Sequence, residues 1–125
     1  MAMEPALTPK LAPYLIARDA SGLARFIEKG IGGKPGFQVL DEDGKIGHLE
    51  MRIADSVVML AEAPQERDPF PAMLHLYVTD ADTAYQWALK AGATSVREPT
   101  DANDGRRGGV RDAWGNEWWF TRPAE

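Results

Sequence analysis

The terminal stretch of this chain is echoed earlier in it, and that echo limits the folds open to it. Val110-Arg111 runs as a short strand into the turn Asp112-Ala113-Trp114-Gly115-Asn116 and returns as the aromatic strand Glu117-Trp118-Trp119-Phe120-Thr121. Residues 49–60 repeat the design, with Leu49–Ile53 entering the turn Ala54-Asp55-Ser56 and Val57–Leu60 leaving it. Asp19 and Asp80 each close a strand and open a helical pattern, 61 positions apart, and Ser56 and Asn116 lie 60 apart. A solenoid needs at least about three repeats. A long period used twice predicts two βαβββ modules instead.

Residues 1–10 hold Pro5 and Pro9 and little periodicity, and read as an N-terminal arm. The first module spans 11–62. Its strand Leu11–Arg18 ends at Asp19, a helix N-cap by composition. Leu23, Phe26 and Ile27 then form a core-facing stripe that Gly30, Gly32 and Gly33 stop. Strands at Phe37–Leu40, Lys45–Ile53 and Val57–Glu62 complete it. Residues 63–72 carry three prolines and form a linker. The second module, 73–122, restarts with strand Met73–Thr79 and an Asp80-capped helix whose stripe is Ala81, Ala84, Tyr85 and Ala88. Strand Thr94–Glu98, a polar loop at 99–107 and the final hairpin follow. This is an α+β reading: the modules join edge to edge into one curved mixed sheet, helices cover its outer face, and the other face forms a cup-shaped cavity. The whole is one compact domain.

Composition excludes several functions. Net charge is −5 over 125 residues with signs interspersed, which argues against nucleic acid as a partner, since phosphate binding needs a basic face. The chain has no cysteine, hence no disulfide, thiolate metal site or Cys nucleophile. Met1–Lys10 has no charged segment leading into an apolar one, as a signal peptide would. No apolar run approaches the roughly 20 residues of a membrane span. A cytoplasmic location is expected. Gly108-Gly109 lacks phosphate-loop spacing and no Gly-x-Ser-x-Gly occurs.

Three segments carry a family resemblance: Pro13–Asp19, Gly47–Leu60 and Arg106–Trp118. They resemble the vicinal oxygen chelate superfamily, also called the glyoxalase/bleomycin-resistance/dioxygenase fold, and most of all its PhnB-like branch. Members of that branch show Gly-His-x-Glu-Leu, and Gly-Asp-Arg-x-Gly before Asp-Pro-x-Gly-His-x-Trp. Here Asp104-Gly105 replaces Gly-Asp, Ala113 replaces Pro and Asn116 replaces His. The resemblance implies a homodimer whose cups a partner subunit completes. It also implies, in metal-using members, a divalent ion held by one side chain from each module's first strand and a Glu near each last strand. Those positions are Ala12, Met73, Met59 and Trp119 here, none of them an oxygen or nitrogen ligand. The inherited metal site is therefore expected to be missing.

Strand alternation then assigns faces. Leu49, Met51 and Ile53, with Val58, Leu60, Trp118 and Phe120, form the core phase. The resemblance implies that Met59 and Trp119 face the cup, and alternation in that phase brings Tyr14, His75 and Tyr77 there too; His48 and Glu50 lie opposite the apolar phase of their strand, so all seven are expected ligand-binding residues. Arg106, beside Arg107 in the polar loop, joins them as an anion holder at the rim. His48 and His75 are the only histidines. The plain reading of His48 and Glu50 is a hydrogen bond on an open sheet. The sharper one is a general base, or, with His75, a rearranged metal site. Trp119 either stacks a planar or cationic ligand or plugs the cup. Trp87 is expected in the core, and Trp114 exposed at the turn or against a partner.

Two functions follow. The first is a dimeric protein that binds a small, partly apolar molecule in its cup without metal or cofactor, as bleomycin-type resistance proteins sequester a drug. The second is a metal-dependent lyase, isomerase or dioxygenase of the glyoxalase type, using His48, Glu50 and His75.

Overall fold

The computed structural model describes residues 9–125. The expected arm lies outside the described residues except for Pro9 and Lys10. The chain is α+β and forms two compact units, one of residues 9–28 and 32–70, the other of 29–31 and 71–125. Each contains one four-stranded mixed sheet.

In the first module the elements are β1 (Tyr14–Ala17), α1 (Ala20–Phe26), β2 (Lys34–Leu40), β3 (Ile46–Ile53) and β4 (Ser56–Glu62). The sheet order is β1-β4-β3-β2, with β1 parallel to β4 and the other pairs antiparallel. Asp19 caps α1 by accepting from the Gly22 amide at 3.1 Å. Glu62, at the end of β4, accepts from the Asp19 and Ala20 amides at 2.9 Å each, satisfying donors that the first turn leaves free. The helix does not stop at Gly30. It continues as a π-helical turn, Ile27–Ile31, and ends where Gly32 takes φ 89°, a left-handed conformation that suits glycine.

The second module holds β5 (Met73–Tyr77), α2 (Ala81–Lys90), β6 (Thr94–Ala102), β7 (Gly105–Arg111) and β8 (Glu117–Pro123). Its order, β5-β8-β7-β6, repeats that of the first, with β5 parallel to β8. Asp80 caps α2 through the Thr83 amide at 3.1 Å. The expected loop at 99–107 is a correction: β6 runs to Ala102 and β7 starts at Gly105, so most of it is strand. β6 is an exposed edge strand, which is why it reads as polar loop. Its Pro99 falls in a register irregularity between Arg97 and Thr100, where no ladder bond needs its missing amide.

The core phase follows the alternation. Leu49, Met51, Ile53, Val58, Leu60, Trp118 and Phe120 are all buried. On α2, Ala81, Tyr85 and Ala88 are buried, whereas Trp87 is 56% exposed. It lies off that stripe with Lys90 Nζ 5.4 Å from its ring centroid, so the expectation of a core tryptophan is overturned. Among the described residues no helix is long and apolar enough to cross a membrane.

Candidate functional sites on the helix-free faces

In each module a helix packs on one face of the sheet, and the chemistry-bearing side chains lie on the other. On the first sheet the strand register sets Tyr14, Met59 and Glu50 in a row across β1, β4 and β3. His48 lies on the same face of β3, two residues before Glu50. Tyr14 reaches over β4 and its hydroxyl meets His48 Nδ1 at 2.8 Å. His48 Nε2 meets Glu50 Oε2 at 3.1 Å. Tilted ring contacts support the imidazole, from Tyr14 at 5.6 Å and from Phe37 at 6.1 Å between centroids. Burial, and secondarily the Glu50 charge, push the Tyr14 phenol above its usual range. The hydrogen bond expected between His48 and Glu50 is present, and Tyr14 extends it into a chain of three.

On the second sheet the corresponding row is His75, Trp119 and Gly109 across β5, β8 and β7. The Trp119 indole lies against Gly109: a Cβ there would stand 2.6–2.7 Å from three of its ring atoms. The indole N–H donates to Glu117 Oε1 at 3.0 Å. That bond, then Arg111, hold the Glu117 carboxyl below its usual range. The next row places Tyr77, Thr121 and Arg107 side by side. Thr121 Oγ1 lies 2.6 Å from His75 Nε2 and accepts from Arg107 Nε at 3.1 Å. Arg107 also donates to Asp104 at 2.5 Å and lowers its pKa. His75 stacks on Tyr77 at 5.1 Å. Thr121 and Gly109 were not among the expected site residues, and Arg107, expected with Arg106 in a rim loop, lies on β7. A signal for Gly109 was present, because a hairpin centred on Trp114 must set residue 109 opposite 119.

Arg106 sits apart from this group. By alternation it shares the helix face of β7 with Val110, and its guanidinium is bound by Asp82 of α2 at 2.8 Å and by Asp101 at 3.1 Å. Both contacts raise its pKa further.

The hairpin turn itself is held by one buried carboxylate. Asp112 Oδ1 accepts from the Trp114 and Asn116 amides at 2.9 Å each, and Oδ2 from Asn116 Nδ2 at 3.0 Å and Trp118 Nε1 at 2.9 Å. Asn116 Oδ1 in turn accepts from the Ala72 amide at 2.9 Å.

The four positions that the resemblance assigns to a metal offer an ion little. Ala12 precedes β1 and has no donor atom. Met73 and Met59 carry thioethers, and the Trp119 nitrogen is a hydrogen-bond donor already given to Glu117. These side chains do not fit a divalent ion that takes oxygen or nitrogen ligands.

Comparison with known proteins agrees with this architecture. The family model for the glyoxalase/bleomycin resistance protein/dioxygenase superfamily matches residues 10–120. An uncharacterized protein of Mycobacterium bovis, Mb0911c, is 34% identical over 127 aligned positions, covering 92% of this chain and 84% of that protein. The crystal structure of TioX from Micromonospora sp. ML1 superposes with a TM-score of 0.78 at 21% identity, covering 94% of this chain and all of that one. TnmS3, an antibiotic binding protein from Streptomyces sp. CB03234, gives 0.70 at 17% identity, covering 94% and 98%. At those identities the two structures speak for the fold alone. With the matched family model and the mycobacterial relative, the chain belongs to the glyoxalase/bleomycin resistance protein/dioxygenase superfamily.

Proposed function

We propose that the protein binds a small, partly apolar molecule on the helix-free faces of its sheets, without the metal of its catalytic relatives. Trp119 carries this reading. At the position where metal-using members place a Glu, an aromatic plane is laid along the sheet and held by Gly109 and Glu117. Such a surface suits stacking and apolar contact. Met59 is its counterpart on the first sheet, beside Tyr14 and Glu50, while His75 and Tyr77 flank Trp119. The antibiotic-binding TnmS3 shares the fold and illustrates such use. The chain acts as a homodimer, in keeping with the superfamily. It falls in the PhnB-like branch on the strength of Gly47-His48-Leu49-Glu50-Met51.

Metal analysis of protein purified without chelator, paired with a tryptophan-fluorescence screen of planar and cationic drugs, tests this reading. The expected result is no stoichiometric divalent ion, and quenching by some compounds that W119A abolishes. A stoichiometric ion lost on replacing His48 or His75 would overturn it in favour of a metalloenzyme. Sedimentation as a monomer would overturn the dimer.

A further inference from the structure

Hydrogen-bonding capacity fixes the protons along the Tyr14–His48–Glu50 chain. A carboxylate only accepts, so the proton between Glu50 and Nε2 belongs to His48. In the neutral ring Nδ1 is then an acceptor, and the proton between it and Tyr14 belongs to the phenol. The Tyr14 O–H is thus turned toward the imidazole. Its oxygen lone pairs are left for another partner, on a residue that is 45% exposed. The Glu50 side chain is only 18% exposed, and among the described residues its one ion-pair partner is His48.

The geometry points to a proton-accepting site on the first sheet for a neutral molecule with a weakly acidic O–H group, a phenol or an enol; it rests on the reading that this face binds small molecules. The ligand O–H donates to the Tyr14 oxygen. As its proton crosses to Tyr14, the original Tyr14 proton crosses to His48 Nδ1. The ligand O–H bond breaks, one O–H bond on Tyr14 is exchanged for another, and an N–H bond forms on His48. The ligand leaves as an anion, His48 becomes imidazolium with its Nε2–H still donated to Glu50, and the total charge is unchanged. Tyr14 never becomes a phenolate, the state that burial and Glu50 both disfavour. Phe37 and Met59 supply apolar surface beside the chain.

The probe is 4-nitrophenol, whose anion is coloured. Equilibrium dialysis measures how much is bound, and absorbance measures how much of that is ionised. Below the pKa of the free phenol, the bound probe is expected to be ionised about tenfold more than the free one, the effect of one pKa unit. Y14F and H48Q lose the extra ionisation of the probe that remains bound, and E50Q reduces it. Nitrogen NMR of the histidines shows His48 protonated on Nε2 in the free protein. Binding without ionisation, or ionisation that survives in Y14F, overturns the relay and leaves small-molecule binding standing. Failure of the wild-type protein to retain the probe overturns the relay and counts against binding on this face as well.

Discussion

The two modules share a strand order and differ in what they place on it. Row for row, Tyr14, Met59 and Glu50 of the first correspond to His75, Trp119 and Gly109 of the second. The first face is a hydrogen-bonded chain with a partly withdrawn carboxylate at one end. The second is an aromatic plane beside a cluster of His75, Thr121 and Arg107. The hairpins diverge as well. The first turns in two residues between Ile53 and Ser56, with nothing buried at its centre. The second is built around Asp112 and four hydrogen bonds. A repeated backbone therefore leaves each copy free to specialise, since the sheet needs only its core phase to stay apolar.

The largest contrast lies in the turns. Asp112→Ala strands four donors, at least two of them buried, and should cost about 3–4 kcal/mol in urea unfolding. A loss below about 1 kcal/mol would mean that the turn holds itself. Next comes the face of the second sheet. Gly109→Val drives side-chain atoms into the Trp119 ring and should cost about 1–3 kcal/mol, with a changed near-ultraviolet circular dichroism signal. Unchanged dichroism would show that the indole is not held there.

In the first hairpin the sign reverses. Ala54 adopts φ 54°, which an alanine tolerates poorly, so Ala54→Gly should stabilise by about 0.5–1 kcal/mol. The smallest effect is electrostatic. The Glu117 pKa in the folded chain lies below its ordinary 4.5. Its contribution to stability is therefore complete above that value and fades as pH falls through the lower folded one. Trp119→Phe removes the larger cause and should move the Glu117 pKa upward in a carboxyl NMR titration, a shift with no counterpart at Val57 in the first module. An unmoved titration would assign the whole effect to Arg111.

Alternation and capping made much of this legible from the residues alone. Leu49, Met51 and Ile53 could face only the core, and that fixed His48 and Glu50 on the other side. Asp19 and Asp80 announced their helices. The first half of β6 was expected at Thr94–Glu98, but its continuation to Ala102 escaped notice because an edge strand has no buried face to print a pattern, and Pro99 reads as a breaker. Arg106 was expected at a rim for the same reason: once 99–107 is strand, alternation turns it toward α2 and Asp82. Trp87 was expected in the core because its type is usually buried, yet small alanines already fill that side of α2. The reach of Tyr14 across a whole strand to His48 depends on side-chain length and rotamer, which no periodicity encodes.

The contact between Gly109 and Trp119 ties two positions into one evolutionary unit. Neither can change size alone: a side chain at 109 ejects the indole, and a smaller residue at 119 leaves bare backbone at 109. Variants that reshape this face must therefore change in pairs, so a library that randomises both positions together should reach ligands that single substitutions cannot.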